Sequence, residues 1–211
     1  MIEKLLEIIG KNYPLTSVSG VTEEKLRAGG MKFSVQAYRA EGLGHVSVMT
    51  AKGFFGLMRM DTLIINPTEL DLPLYSYDRI YAMGNDTLII ELYDTMSECG
   101  FSMKDVKEKY KDLSERDPGE HWYDSIKLSE SVSKKCKKVD TPRLDSLTVE
   151  HINAYFDAAK PTDNTELKRE KARAYVDGLL LHGGPSTDAF KKAIGEERTA
   201  RLFRDTLFGT K

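Results

Sequence analysis

Cysteine is scarce in this chain, with only Cys99 and Cys136 among 211 residues, far apart and in no CxxC pair. That spacing supports neither an iron–sulfur cluster nor a structural zinc site, and two isolated thiols fit a reducing cytoplasm. Long apolar runs are missing too: no stretch approaches the ~18 consecutive apolar residues that a membrane span requires. The opening Met1-Ile2-Glu3-Lys4-Leu5-Leu6-Glu7-Ile8-Ile9 carries acids and reads as a short amphipathic helix rather than a secretion signal. The expectation is a cytoplasmic protein with no membrane partner. There is no excess of positive charge; the formal net charge of −2 excludes a globally basic nucleic-acid binder. Gly29-Gly30 and Gly183-Gly184 do not form GxGxxG, and no Walker A sequence occurs, so motif excludes a Rossmann nucleotide site. His121, His151 and His182 share no HxxxH or HExxH spacing, which argues against a bound metal.

What is present suits a folded core: 40% of residues are hydrophobic and 30% charged. One domain over residues 1–211 is the simpler reading at this length, as a monomer. From Met31 to about Asp94 the pattern has period two, with turn residues between the runs, which predicts β-strands. Met31, Phe33, Val35 and Ala37 alternate with Lys32, Ser34 and Gln36, and Val46 and Val48 share a face further on. A run ending at Ile65 is stopped by Asn66-Pro67, because proline cannot donate to a ladder and restricts its predecessor. Leu74 to Met83, the turn Gly84-Asn85-Asp86 and Thr87 to Asp94 complete the series. Short connections predict an antiparallel meander, since parallel strands need long crossovers.

Beyond Asp94 the spacing changes to three and four. Ser102–Leu113, Val149–Ala159 and Glu166–Leu181 read as helices, and a last helical segment pairs Phe190, Ile194, Leu202, Phe203 and Leu207 around a break at Gly195. The fold class is therefore α+β, an antiparallel sheet with helices on both faces.

Two strands carry acids that do not fit. On Leu74–Met83 one face holds Leu74, Ser76, Asp78, Ile80 and Ala82, while the other holds Tyr75, Tyr77, Arg79 and Tyr81. Asp78 thus shares the aliphatic face, where an unpaired charge costs several kcal/mol. A carboxyl in such a place has its pKa raised, as a proton donor working near neutrality needs. On the strand before it, Leu57, Arg59, Asp61, Leu63 and Ile65 share a face. His45 lies on a face with Ser47 and Met49. The run Lys134-Lys135-Cys136-Lys137-Lys138 reads as solvated surface, with holding carboxylates or an acidic partner protein as the other readings.

At Leu72-Pro73-Leu74-Tyr75-Ser76-Tyr77-Asp78 the chain resembles the ferredoxin-dependent bilin reductases, whose central aspartate follows a Leu-Pro frame and precedes a hairpin. Asn66-Pro67-Thr68-Glu69-Leu70-Asp71 is similar to the family's lead-in, and Phe190–Glu197 through Leu207-Phe208 to its closing segment. The matches lie in order and span roughly residues 31 to 209. The resemblance implies a three-layer α/β/α sandwich with the bilin between the sheet and the C-terminal helices. It implies biliverdin or a related bilin as substrate and no bound cofactor, with electrons arriving singly from external ferredoxin or flavodoxin. Asp78 would be the catalytic proton donor. Counting back from Asp78 puts Asp61 at the family's relay position, usually histidine or asparagine, so Asp61 is the second catalytic candidate. Arg59 beside it, His45 and His182 are the candidate substrate-binding residues. His182 lies two residues from Gly184, where the family has a helical aspartate. A non-catalytic tetrapyrrole carrier of the same fold is the alternative, and red chlorophyll catabolite reductase, of the same superfamily, leaves another substrate ring system open.

Overall fold

The computed structural model describes residues 1–18, 23–98 and 100–211. At its centre lies one antiparallel sheet of eight strands: β1 (Leu15–Ser17), β2 (Glu23–Ala28), β3 (Met31–Ala40), β4 (Gly44–Gly53), β5 (Met58–Asn66), β6 (Leu74–Ala82), β7 (Asn85–Tyr93) and β8 (Val132–Lys137). From β3 to β8 the spatial order follows the chain, while β1 and β2 share the outer edge of β3. Tight turns explain this order. Met83-Gly84 is a two-residue loop with φ of 51° and 74°, the left-handed geometry whose twist matches the flanking strands.

Side chains alternate across the sheet and fill two cores. Val46, Val48, Leu63, Ile65, Tyr75, Tyr77, Leu88 and Ile90 pack against α1 (Ile2–Asn12) and α2 (Thr141–Asp157). Helix α1 presents Ile2, Leu5 and Ile9 on one stripe, and Pro14 follows its end. On the opposite face, Phe33, Val35, Met49, Ala51, Ile64, Leu74 and Tyr93 meet α3 (Thr165–His182), α4 (Pro185–Ile194), the short α5 (Glu196–Arg201) and a π-turn over Leu202–Leu207. Asn164 caps α3 by accepting from the Leu167 amide at 3.0 Å, and Gly183, at φ 80°, ends it. The α+β, three-layer α/β/α arrangement is the one expected.

Three local expectations are corrected. Ser102–Leu113 is not a helix; only Lys107–Tyr110 makes a 3₁₀ turn. Its helical spacing reflects Val106, Tyr110 and Leu113 packing into the first core, with Tyr110 held by Glu150 of α2 at 2.8 Å. The lysine run is not uniform surface but strand β8, in which Val132, Lys134 and Cys136 point inward. Lys134 is buried, donating to the Leu113 carbonyl at 3.1 Å and pairing with Glu115. The third is that β1 and β2 were not foreseen. Cys99 lies outside the described residues, and Cys136 is a buried free thiol.

Candidate active site

Between the sheet and α3 lies a cavity of about 290 Å³ that opens to solvent. Its floor is the second-core face of four strands: Met49 from β4, Met60, Thr62 and Ile64 from β5, Ser76, Asp78 and Ile80 from β6, and Ile89, Glu91 and Tyr93 from β7. Tyr175 and Leu179 of α3 and Phe203, Leu207 and Phe208 close the far wall. The lining is mostly apolar with a few polar groups, the composition of a small-molecule site.

Asp78 stands in the middle of this floor, half-buried. The antiparallel register pairs it with Thr62, whose Oγ1 donates to Asp78 Oδ1 at 2.5 Å. No cation pairs with Asp78 among the described residues. Burial therefore raises its pKa to about 6; the Thr62 hydrogen bond opposes this and the nearby Glu91 charge adds to it. Glu91, one strand over, accepts from Tyr93 Oη at 2.7 Å and lies 3.9 Å from Lys127 Nζ.

The loop between β7 and β8 forms the roof. Arg116, Pro118, His121, Trp122 and Tyr123 all line the cavity. His121 stacks on Tyr123 with centroids 4.9 Å apart, and its Nδ1 is buried with no hydrogen-bond partner among the described residues. Trp122 lies across α3 at Gly178, where an added Cβ would overlap the indole ring. A glycine inside a helix costs about 1 kcal/mol relative to alanine, and Gly178 is explained by the room it leaves for the roof.

The back wall is fixed by three side chains of the sheet. His45 Nε2 donates to the Thr206 carbonyl at 2.9 Å, Ser47 Oγ to Leu207 at 2.6 Å and Asn66 Nδ2 to Phe208 at 2.8 Å. Three consecutive carbonyls are thereby caught, and two of the residues carrying them line the cavity.

The whole arrangement is similar to a solved structure, phytochromobilin synthase from tomato in complex with biliverdin, with a TM-score of 0.76 at 13% identity, covering 100% of this chain and 83% of that one. The fold is shared. No protein-family model and no curated protein matches the chain in sequence.

Of the candidate catalytic and substrate-binding residues named from the sequence, only Asp78 lines the cavity. Asp61 does not: it faces the first core, buried, with Arg59 donating to it through Nε at 3.1 Å and Nη2 at 2.6 Å. The correction has a simple cause. Asp61 pairs with Arg79 and Thr62 with Asp78, and a slip of one residue turns a side chain to the other face. Arg59 goes with Asp61, away from the cavity. His45 faces the C-terminal segment, and burial pushes its pKa down. His182 is exposed at the end of α3, where its ring packs on Trp122 at 5.2 Å, beside the cavity-lining Gly183 and Gly184. The residues missed were Thr62, Glu91, Arg116, His121 and Trp122. Glu91 had a signal, since it alternates with Ile89 and Tyr93 on the Asp78 face; the roof residues had none beyond the unexplained Gly178.

Proposed function

We propose that the protein binds an open-chain tetrapyrrole, biliverdin or a related bilin, in this cavity and reduces it with electrons from an external one-electron carrier, ferredoxin or flavodoxin. The observation that carries the reading is Asp78: an acid without a cationic partner, its pKa lifted to about 6, on the floor of an apolar cleft. Reduction of one double bond adds two electrons and two protons. The carrier is oxidised twice, each electron passing to the bound tetrapyrrole, and Asp78 delivers a proton and is recharged from solvent. Thr62 holds one carboxyl oxygen and so orients the acid. His121, whose Nδ1 is buried at the roof 4.0 Å from Asp124 Oδ1, is the second group placed to hand over a proton. The cavity-lining Arg116, which forms no ion pair among the described residues, suits an anionic side arm such as a propionate. His45 then acts by fixing the back wall, and Asp61 and Arg59 by holding the sheet. The outward lysines Lys135, Lys137 and Lys138 remain available to an acidic donor protein.

Anaerobic incubation with biliverdin and reduced ferredoxin, followed by absorbance and product chromatography, tests the reading. The expected result is a colourless purified protein that binds biliverdin and converts it. Binding with no reduction would instead identify a carrier, and a protein that purifies with stoichiometric flavin would contradict the proposal.

A further inference from the structure

Five of the seven large hydrophobic side chains exposed among the described residues gather at one end of the sheet. Phe54, Phe55 and Leu57 occupy the β4–β5 turn, Met83 the β6–β7 turn, and Val139 follows β8. Phe55 stands clear of the protein at 109% relative exposure and Met83 at 95%. The backbone there is also unusual. Phe54, Phe55 and Met83, with φ of 51°, 56° and 51°, are the non-glycine residues in the left-handed region among those described. Bulky side chains rarely adopt that conformation, and such strain gathers at functional sites.

A second observation lies one residue inside these turns. Arg27 pairs with Lys32, Lys32 with Lys52, and Lys52 with Arg59, so four cations stand directly opposite one another across β2, β3, β4 and β5 on one face. All four are exposed, and like charges in that position repel. Only Arg59 has a carboxylate partner, Asp61; Arg27, Lys32 and Lys52 form no ion pair among the described residues.

From the two together we infer that this end of the sheet docks on an anionic lipid bilayer, the turns entering the interfacial layer and the basic row lying against the phosphates. The shape favours a bilayer over a protein. The apolar side chains sit on convex turn tips, which a protein could cover only with a matching hollow, whereas lipid yields around them. An extended row of unpaired cations complements a surface of spread negative charge. Among the described residues no helix is long and apolar enough to cross a membrane, so the attachment is peripheral. The inference goes beyond the proposed reduction and needs no bilin in its test.

The experiment is sedimentation of the full chain with vesicles of phosphatidylcholine alone and of phosphatidylcholine mixed with phosphatidylglycerol, at low and high salt. The wild type is expected to pellet with the mixed vesicles at low salt and to stay in solution with the neutral ones. Each cation near such a surface contributes about fivefold in affinity, so Lys32→Glu with Lys52→Glu should weaken binding at least ~10-fold. Phe54→Gly with Phe55→Gly should weaken it comparably while leaving the melting temperature equal or higher, because glycine accepts the left-handed backbone. A wild type that pellets with neither vesicle overturns the inference. So does undiminished binding by the glycine variant, which would mean charge attraction alone. It is equally overturned if the phenylalanines instead mediate a dimer that the glycine variant dissolves. Loss of reduced-ferredoxin binding in the charge variant, with vesicle binding intact, would assign the row to a protein and overturn it as well.

Discussion

The two faces of the sheet, drawn from alternate residues of the same strands, hold Asp61 and Asp78 in opposite ways. On the α1–α2 face both buried acids among the described residues, Asp61 and Asp86, have a cation. Asp61 accepts twice from Arg59, and Asp86 is bridged by Arg79, whose Nη2 lies 2.7 Å from Oδ2, and by the Thr141 hydroxyl at 2.5 Å. Asp145 stands 3.3 Å from the same guanidinium. On the α3 face Asp78 has a hydroxyl and an open cavity. Neighbouring positions, Asp61 with Thr62 and Asp78 with Arg79, thus serve different ends. A paired carboxylate fixes the fold, whereas an unpaired one at a cavity wall can exchange its proton. The presence of an acid in a strand says little until its face and partner are known.

Breaking the paired side should give the largest effect. Asp86→Ala leaves Arg79, fully buried, without its main partner, and removing one member of such a pair costs about 3–5 kcal/mol. Urea unfolding should show that loss. A change below about 1 kcal/mol would mean that the network is not holding the first core.

Changing the unpaired side should act on the chemistry instead. Asp78→Asn should slow tetrapyrrole reduction at least ~10²-fold while binding persists. It should also stabilise the protein. The folded pKa of about 6 lies above the ordinary value, so the contribution of Asp78 is fully present below about pH 4 and is lost as pH rises to about 6. At pH 7 the asparagine variant should therefore gain up to about 3 kcal/mol over wild type, and the gap should close in acid. Equal pH dependence of the two proteins in urea would remove Asp78 from its apolar setting.

Gly178→Ala tests whether the roof belongs with the open face. The added methyl meets the Trp122 ring, and overpacking of that kind costs about 1–3 kcal/mol unless the ring moves away. Trp122 is the only tryptophan in the chain, so its emission should shift to the red and tetrapyrrole affinity should fall. Unchanged emission would place the roof elsewhere. The smallest effect is expected from Asp61→Asn. Its partner Arg59 is half exposed, which limits the loss to about 1 kcal/mol, and product and rate should match wild type. An altered product would bring Asp61 back into the site despite its face.

Much of this division was legible beforehand, and its gaps have physical causes. Strands β3 to β7 show in the alternation of Met31, Phe33, Val35 and Ala37 and in the short turns. Asp78 stood out because it broke an aliphatic face. Thr62 was not legible, because register between β5 and β6 depends on how residues 67–73 cross over, and an error of one position selects Asp61 instead. Strand β8 hid behind Lys134, whose stem is buried while its ammonium reaches Leu113 and Glu115. The roof loop carries no periodicity, and its tie to α3 shows only as a helical glycine.

The claim that Asp78 supplies the proton is met most directly by one measurement: the pH dependence of single-turnover reduction of bound biliverdin under anaerobic conditions, in wild type and in Asp78→Asn. The rate in the wild type should fall as pH rises through the titration of the acid, near 6 in the empty protein, and the variant should be slow and lack that limb. The same limb in the variant, or a wild-type rate indifferent to pH across the range, would assign the proton to another group.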